Sequence, residues 1–234
     1  MDLALFPGEK LAILGCNGTG KSTLLSVLAG LRAPQEGEVL LDGNRYDSLG
    51  GRKSALWRAW LPQTRTDAFA ATVIDTALVG RHPHLDRWDW ESAHDLRIVR
   101  DALAAVDLSA DEQRDIQTLS GGERQRLAIA AVLAQQPRIF LLDEPLAHLD
   151  LKHQMAMLML FSNTARSTQA AVVMVLHDPA LAWRFCDRVL LMYGDGSTEC
   201  GSTREMLSAE RLSALYRHPL RIETYEDGIC IIPR

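Results

Sequence analysis

Apolar residues fall into two rhythms along the chain. Lys10–Leu14 is a short apolar run that stops at Gly15, which reads as a strand. From Lys21 to Leu31, the residues Leu24, Leu25, Val27, Leu28 and Leu31 recur at helical spacing, and Arg32-Ala33-Pro34 closes the pattern. Glu38–Leu41 then alternates toward Asp42-Gly43, a hairpin signal. From about Thr66 to Leu119 the texture changes. That stretch is rich in charge and Trp, weak in strand signals, and helical at Ala93–Val106. Ser109 followed by Glu112 predicts a capping box. Beyond Ser120, Glu123–Gln136 reads as a strong helix with a small-residue face, stopped by Pro137. Ile139–Leu142, Ala171–Leu176 and Val189–Met192 are continuous apolar runs, as strands covered on both faces of a parallel sheet require. A capped helix (Ser202 with Glu205) and a strand at Gly228–Ile232 follow, and no internal repeat is visible. The pattern predicts an α/β fold with a helical insertion.

Composition narrows this only at its margins. With 234 residues, 47% apolar and 24% charged, the chain can bury a sizeable core and is neither disordered, collagen-like nor a small disulfide scaffold. Its net charge of −5 argues against a broad nucleic-acid-binding face. The four cysteines Cys16, Cys186, Cys200 and Cys230 form no CxxC pair, which argues against a zinc site or a disulfide framework. No run approaches the roughly 18 apolar residues of a membrane span, and no signal-peptide pattern opens the chain, so it is expected to stay in the cytosol.

Three motifs carry chemistry. Gly15-Cys16-Asn17-Gly18-Thr19-Gly20-Lys21-Ser22 matches G-x-x-x-x-G-K-[ST] between a strand and a helix, with Thr23 next in line. Such a loop wraps phosphate with backbone N–H groups at the positive end of a helix; Lys21 reaches the β/γ-phosphates and Ser22 offers a hydroxyl to Mg²⁺. A bare glycine-rich turn is the weaker reading, and Cys16 reads as a tolerated loop residue. Ile139–Leu142 ends in Asp143 and Glu144, and the carboxyl ends of parallel strands face the ligand crevice. Asp143 can hold Mg²⁺ there and Glu144 can polarise a water. Alone an Asp-Glu pair is weak; beside a phosphate loop it is strong. Leu119-Ser120-Gly121-Gly122-Glu123 starts the best helix with a capping box, and its exposed N–H groups make a second anion site.

In this order the motifs resemble those of the nucleotide-binding subunit of ATP-binding-cassette (ABC) transporters. The resemblance covers almost the whole chain. It adds Gln63 after a short strand, the loop Leu149-Asp150, and His177 after the apolar run Val172–Leu176. It implies a P-loop NTPase (RecA-like) core with a small antiparallel β portion and an inserted helical subdomain. Residues 1–65 and 137–195 would be core, 66–136 the insertion with the signature, and 196–234 a short C-terminal tail of one domain, 1–234. It implies ATP hydrolysis with Mg²⁺ held by Ser22, Gln63 and Asp143. Glu144 would be the general base, His177 would contact the γ-phosphate, and Gln63 would touch Mg²⁺ or the water. Two copies would pair head to tail, so that Ser120, Gly121, Gly122 and Glu123 act on the partner's ATP, with Asp150 at the seam. The further partners implied are polytopic permease subunits and, indirectly, a substrate-binding protein, at the cytoplasmic face of the membrane. Gly80-Arg81-His82-Pro83-His84 and Leu149–Gln154 resemble importers of cobalamin and ferric siderophore, with haem third. His82 and His84 make a poor metal site.

Two alternatives fit less of the chain. A soluble cassette ATPase not coupled to transport usually carries tandem cassettes, a long coiled coil or basic arms. A module that holds ATP without turnover is opposed by Glu144 and His177. Two departures from the family stand out. Ala147 replaces a seam serine, which predicts altered communication between sites. Fourteen residues precede Gly15, too few for the family's adenine-stacking aromatic, so a native start upstream of Met1 and an uncovered sheet edge are expected, with Phe6 as core packing.

Overall fold

The computed structural model describes residues 1–63, 70–86, 88–226 and 228–234. Thr66, the expected start of the insertion, lies outside them. Lys10–Leu14 (β1) is buried past its first residue and feeds directly into the glycine-rich loop and helix Lys21–Leu28 (α1). The helix stops before Leu31 because Gly30 turns left-handed at φ 65° and packs beneath the Tyr46 ring, where a Cβ would come within 2.8 Å. Leu40–Leu41 (β2) and Asn44–Arg45 (β3) form the expected hairpin, with both Asp42 (φ 50°) and Gly43 (φ 75°) left-handed at the turn. Short helices Tyr46–Leu49 (α2) and Gly51–Trp57 (α3) lead to strand Arg58–Leu61 (β4).

Between β4 and the next strand the described chain is helical. It runs through Val73–Leu78 (α4), a 3₁₀ segment at Val79–His84, Ala93–Ala105 (α5), and Gly121–Ala134 (α6). Ser92 and Asp95 form a reciprocal capping box at α5. The box expected at Ser109 and Glu112 does not form. Leu108 precedes a 3₁₀ turn at Ser109–Asp111 instead, the Glu112 carbonyl accepts from Ile74 N–H, and its carboxylate takes Arg100.

After α6 come Ile139–Leu142 (β5), Leu151–Thr168 (α7), Ala171–Val175 (β6), Pro179–Phe185 (α8), Arg188–Met192 (β7) and Thr198–Ser202 (β8). Thr203–Met206 (α9) and Ala209–Tyr216 (α10) follow, then the hairpin Leu220–Tyr225 (β9) and Gly228–Pro233 (β10). The main sheet has the order β4-β5-β6-β1-β7-β8, parallel except for β8. β1 is interior, flanked by β6 and β7, so the edges belong to β4 and β8. Alternate residues of β1 enter two cores: Leu11 and Ile13 meet α1, while Ala12 and Leu14 join the larger core shared with α6, α7 and α8.

Phe6 is not core. It is 59% exposed, in a turn where its own N–H donates to Glu9 Oε2 at 2.8 Å. That turn orders Glu9, which holds Arg188 of β7 at 2.9 Å and sets the entry to β1. No helix among the described residues is long and apolar enough to cross a membrane.

Candidate functional site

The phosphate loop turns at Gly18 (φ 82°) and Gly20 (φ 92°), conformations that a side chain would strain. Gly15 needs its missing side chain for a different reason. A Cβ there would lie 2.5 Å from the Met192 carbonyl of β7. Asn17 and Gly18 are exposed at the loop tip, and Thr19 Oγ1 donates to the Cys16 carbonyl at 3.0 Å. Lys21 is buried and folds back, its ammonium donating to the Gly15 and Cys16 carbonyls at 2.8 Å each. Burial lowers the Lys21 pKa, while Glu144, Cys16 and Asp143 act to raise it. Ser22 and Thr23 are exposed on the first turn of α1.

At the end of β5, Asp143 is 2% exposed and its N–H donates to the Leu61 carbonyl of β4. Burial raises its pKa against the Ser22 hydroxyl bond. Its Oδ1 is buried without a hydrogen-bond partner among the described residues. A carboxylate oxygen left so in a polar cradle fits a divalent cation, with Ser22 alongside. Glu144 then turns left-handed (φ 50°). Its Oε1 receives the Gln63 amide at 2.9 Å and meets His177 Nε2 at 2.9 Å. Three residues from the ends of β4, β5 and β6 thus meet on one oxygen. Gln63 and His177 are both exposed, so the cluster opens to solvent.

Ser120 caps α6. Its N–H donates to Glu123 Oε2 at 2.7 Å, and Glu123 N–H returns to Ser120 Oγ at 3.3 Å. The other Glu123 oxygen takes Arg114 at 2.8 Å. The two Ser120 bonds and then Arg114 pull the Glu123 carboxyl from its ordinary 4.5 to about 2. Gly121 and Gly122 lie against the loop before α7; a Cβ on Gly122 would come within 3.0 Å of the His148 carbonyl. No hydrogen bond or ion pair among the described residues joins Ser120–Glu123 to Gly15–Thr23 of the same chain. Asp150 caps α7, holding His153 N–H at 2.9 Å and His153 Nδ1 at 2.8 Å, and its exposed carboxyl lies below the usual range through those bonds.

Three further features support these elements. Gln125 of α6 donates to the Pro145 carbonyl at 2.9 Å and reaches the Glu144 carbonyl at 3.4 Å, tying the signature helix to the acidic strand end. Asp178 caps α8 directly after His177; Asp-Pro at 178–179 was its readable mark. The Gly80–His84 cluster is structural: Arg81 is buried with Asp95 at 2.9 Å and donates to the Ala134 carbonyl, and His84 meets the Gln135 carbonyl at 2.8 Å.

Residues 1–147 match the family model described as "ABC transporter". The hemin import ATP-binding protein of Nocardia farcinica is 42% identical over 224 residues, 95% of this chain and 76% of that protein. The cobalamin import ATP-binding protein of Halobacterium salinarum is 36% identical over 209 residues, 89% of this chain and 52% of that protein. Among solved structures, an inward-facing putative metal-chelate type ABC transporter aligns with a TM-score of 0.84 at 31% identity, covering 100% of this chain and 89% of that one. A dimeric ATP-binding cassette in a post-hydrolysis state, bound to ADP and Pi, aligns at 0.74 and 27% identity, covering 86% of this chain and 88% of that one.

Proposed function

The chain belongs to the ABC transporter family as an ATP-hydrolysing subunit, and from that premise we propose how its residues divide the work and which cargo it serves. The observation that carries the proposal is the convergence of Gln63 and His177 on one Glu144 oxygen, beside the unpartnered Asp143 Oδ1.

Nucleotide binding begins with Lys21, whose ammonium must leave the loop carbonyls for the β/γ-phosphates. Gly15–Ser22 and Thr23 supply N–H and hydroxyl donors. Ser22, Asp143 and Gln63 would hold Mg²⁺, which neutralises phosphate charge when bound. Glu144 accepts a proton from the attacking water, with His177 and Gln63 fixing its carboxylate and His177 facing the γ-phosphate. Ser120, Gly121, Gly122 and Glu123 serve the nucleotide of a second copy, and Asp150 lies at the seam. Within that set Glu123 acts by fixing Ser120, since both its oxygens are engaged in its own chain. A lone subunit lacks these donors and turns over slowly; one preorganised donor is worth about 3–4 kcal/mol. Ala147 offers no hydroxyl at the seam and weakens communication between the two sites.

The subunit docks on permease subunits at the cytoplasmic face, fed indirectly by a substrate-binding protein. Its cargo is a bulky metal chelate. The names of the relatives favour haem or cobalamin, haem first, over a ferric siderophore. Glu144→Gln tests the catalytic assignment: ATP binding retained, dimers trapped, and turnover reduced by at least ~100-fold. Full turnover in that variant would remove Glu144 from its role. Uptake of haem, cobalamin and ferric siderophore by cells lacking only this subunit separates the cargoes; undiminished haem uptake would reject the first choice.

A further inference from the structure

The loop from Glu144 to Asp150 joins β5 to α7, and its course is tied from both sides. Ala147 N–H donates to the Glu144 carbonyl at 3.1 Å, and Leu149 N–H to the Leu146 carbonyl at 3.3 Å. Gln125 of α6 holds the Pro145 carbonyl, Gln154 of α7 donates to the Leu149 carbonyl at 3.0 Å, and Leu149 itself is buried. Among these ties His148 turns left-handed at φ 62°. Its carbonyl lies against Gly122, and a Cβ on Gly121 would sit 3.7 Å from the Cβ and Cγ of His148. The imidazole is exposed and makes no hydrogen bond or ion pair among the described residues. Its two neighbours open α6, and the N–H groups of a first helical turn have no acceptor inside the helix. Ser120 Oγ takes the N–H of Glu123, and those of Gly121 and Gly122 find no acceptor among the described residues. The ring thus stands at the rim of the donors through which the signature works.

We propose that His148 is a further nucleotide-binding residue, whose imidazole N–H donates to the terminal phosphate of the nucleotide held by a second copy. This rests on the reading above that Ser120–Glu123 serve that nucleotide, and it adds a side-chain donor to their backbone ones. A phosphate seated on the free N–H groups of Gly121 and Gly122 brings an oxygen to the edge of the ring. Between Glu144 and Asp150 the other side chains are Pro145, Leu146, Ala147 and Leu149, all apolar, so His148 is the one there that can donate. A nucleoside diphosphate has no group in that place. His148 therefore favours the triphosphate, and it acts only when two copies are paired. The tied loop keeps the ring where an incoming phosphate finds it, so little order is lost on contact.

The test uses full chains mixed in pairs. A chain with Lys21→Ala keeps its signature and loses its loop; a chain with Ser120→Arg keeps its loop and loses its signature. The pair holds one intact site, built from the loop of the second and the signature of the first. His148→Gly is then carried on one chain or the other, since glycine keeps the left-handed turn without strain and removes the ring. On the chain that gives the signature, it lowers ATP turnover of the mixture about tenfold more than on the chain that gives the loop. Equal losses on either chain would mean that the change acts by loosening the loop around Glu144, and they overturn the proposal. A greater loss on the loop-giving chain, or no loss on either, overturns it as well. If the pair without His148→Gly shows no turnover while dimers are present, the sharing of donors between copies fails, and the proposal falls with it. The two failures are told apart because the second appears before His148 is altered.

Discussion

Glu123 does the work of three contacts at once, closing the capping box on Ser120 and holding Arg114. Its folded-state pKa is depressed, so the stability it lends is full above 4.5 and is lost as pH falls toward about 2. Glu123→Gln keeps an acceptor for Ser120 but gives up the charge. We expect it to cost about 1 kcal/mol at neutral pH, on the scale of a weakened cap, and to flatten the acid limb of urea-unfolding free energy across that window. An unchanged acid limb would show that the carboxylate contributes nothing there. At this scale the sequence was most informative where a side chain meets its own neighbours. Ser120 with Glu123 and Ser202 with Glu205 closed as their spacing required. Ser109 with Glu112 did not, because Ser109 lies inside a 3₁₀ turn and Arg100 holds the Glu112 carboxylate. Phe6 was misjudged for the same reason: burial depends on what covers a turn.

The element that organises the molecule is α6. Its N-terminal end carries Ser120, its middle sends Gln125 to the acidic strand end, and its C-terminal carbonyls receive Arg81 and His84, about 21 Å from where it began. Gly80 lets the 3₁₀ segment approach, since a Cβ there would run into the Ala131 carbonyl. Gly80→Ala should therefore force the two apart and cost about 1–3 kcal/mol, read as a lower urea midpoint at unchanged slope. A variant as stable as the parent would mean that the segment does not press on α6. The strands, the hairpin at Asp42-Gly43 and the long helices were legible from periodicity and turn chemistry. The purpose of Gly80–His84 was not. Its sequence pointed to a subgroup of importers and not to a structural part, and only the packing reveals that Arg81 and Asp95 form a buried pair, with Ser92 first and Arg81 after it holding the Asp95 carboxyl well below its usual range.

For the whole molecule, the separation of Ser120–Glu123 from the phosphate loop of the same chain predicts work shared between copies. Lys21→Ala disables one loop and Ser120→Arg disables one signature. Mixed in equal amounts, two such inactive proteins form heterodimers with one intact site, and the mixture regains up to about a quarter of the parental ATPase rate under closed two-fold pairing. No recovery on mixing, with dimers present, would place both halves of a site in one chain. Sequence motifs singled out Gln63, Glu144 and His177, which the structure brings together on one carboxylate oxygen. The support behind them, Gln125, was silent because nothing local demands it.

The sheet order also has a consequence in time. β1 leaves the ribosome well ahead of both its neighbours, since Lys10 pairs with Val172 of β6 and Leu11 with Arg188 of β7. At ~5–20 residues per second, its apolar face waits about 10–30 s for either neighbour to be made. During synthesis the segment that ends in the phosphate loop is therefore a sticky, unpaired ribbon, and the interval before β6 arrives is when the nascent chain most needs shielding.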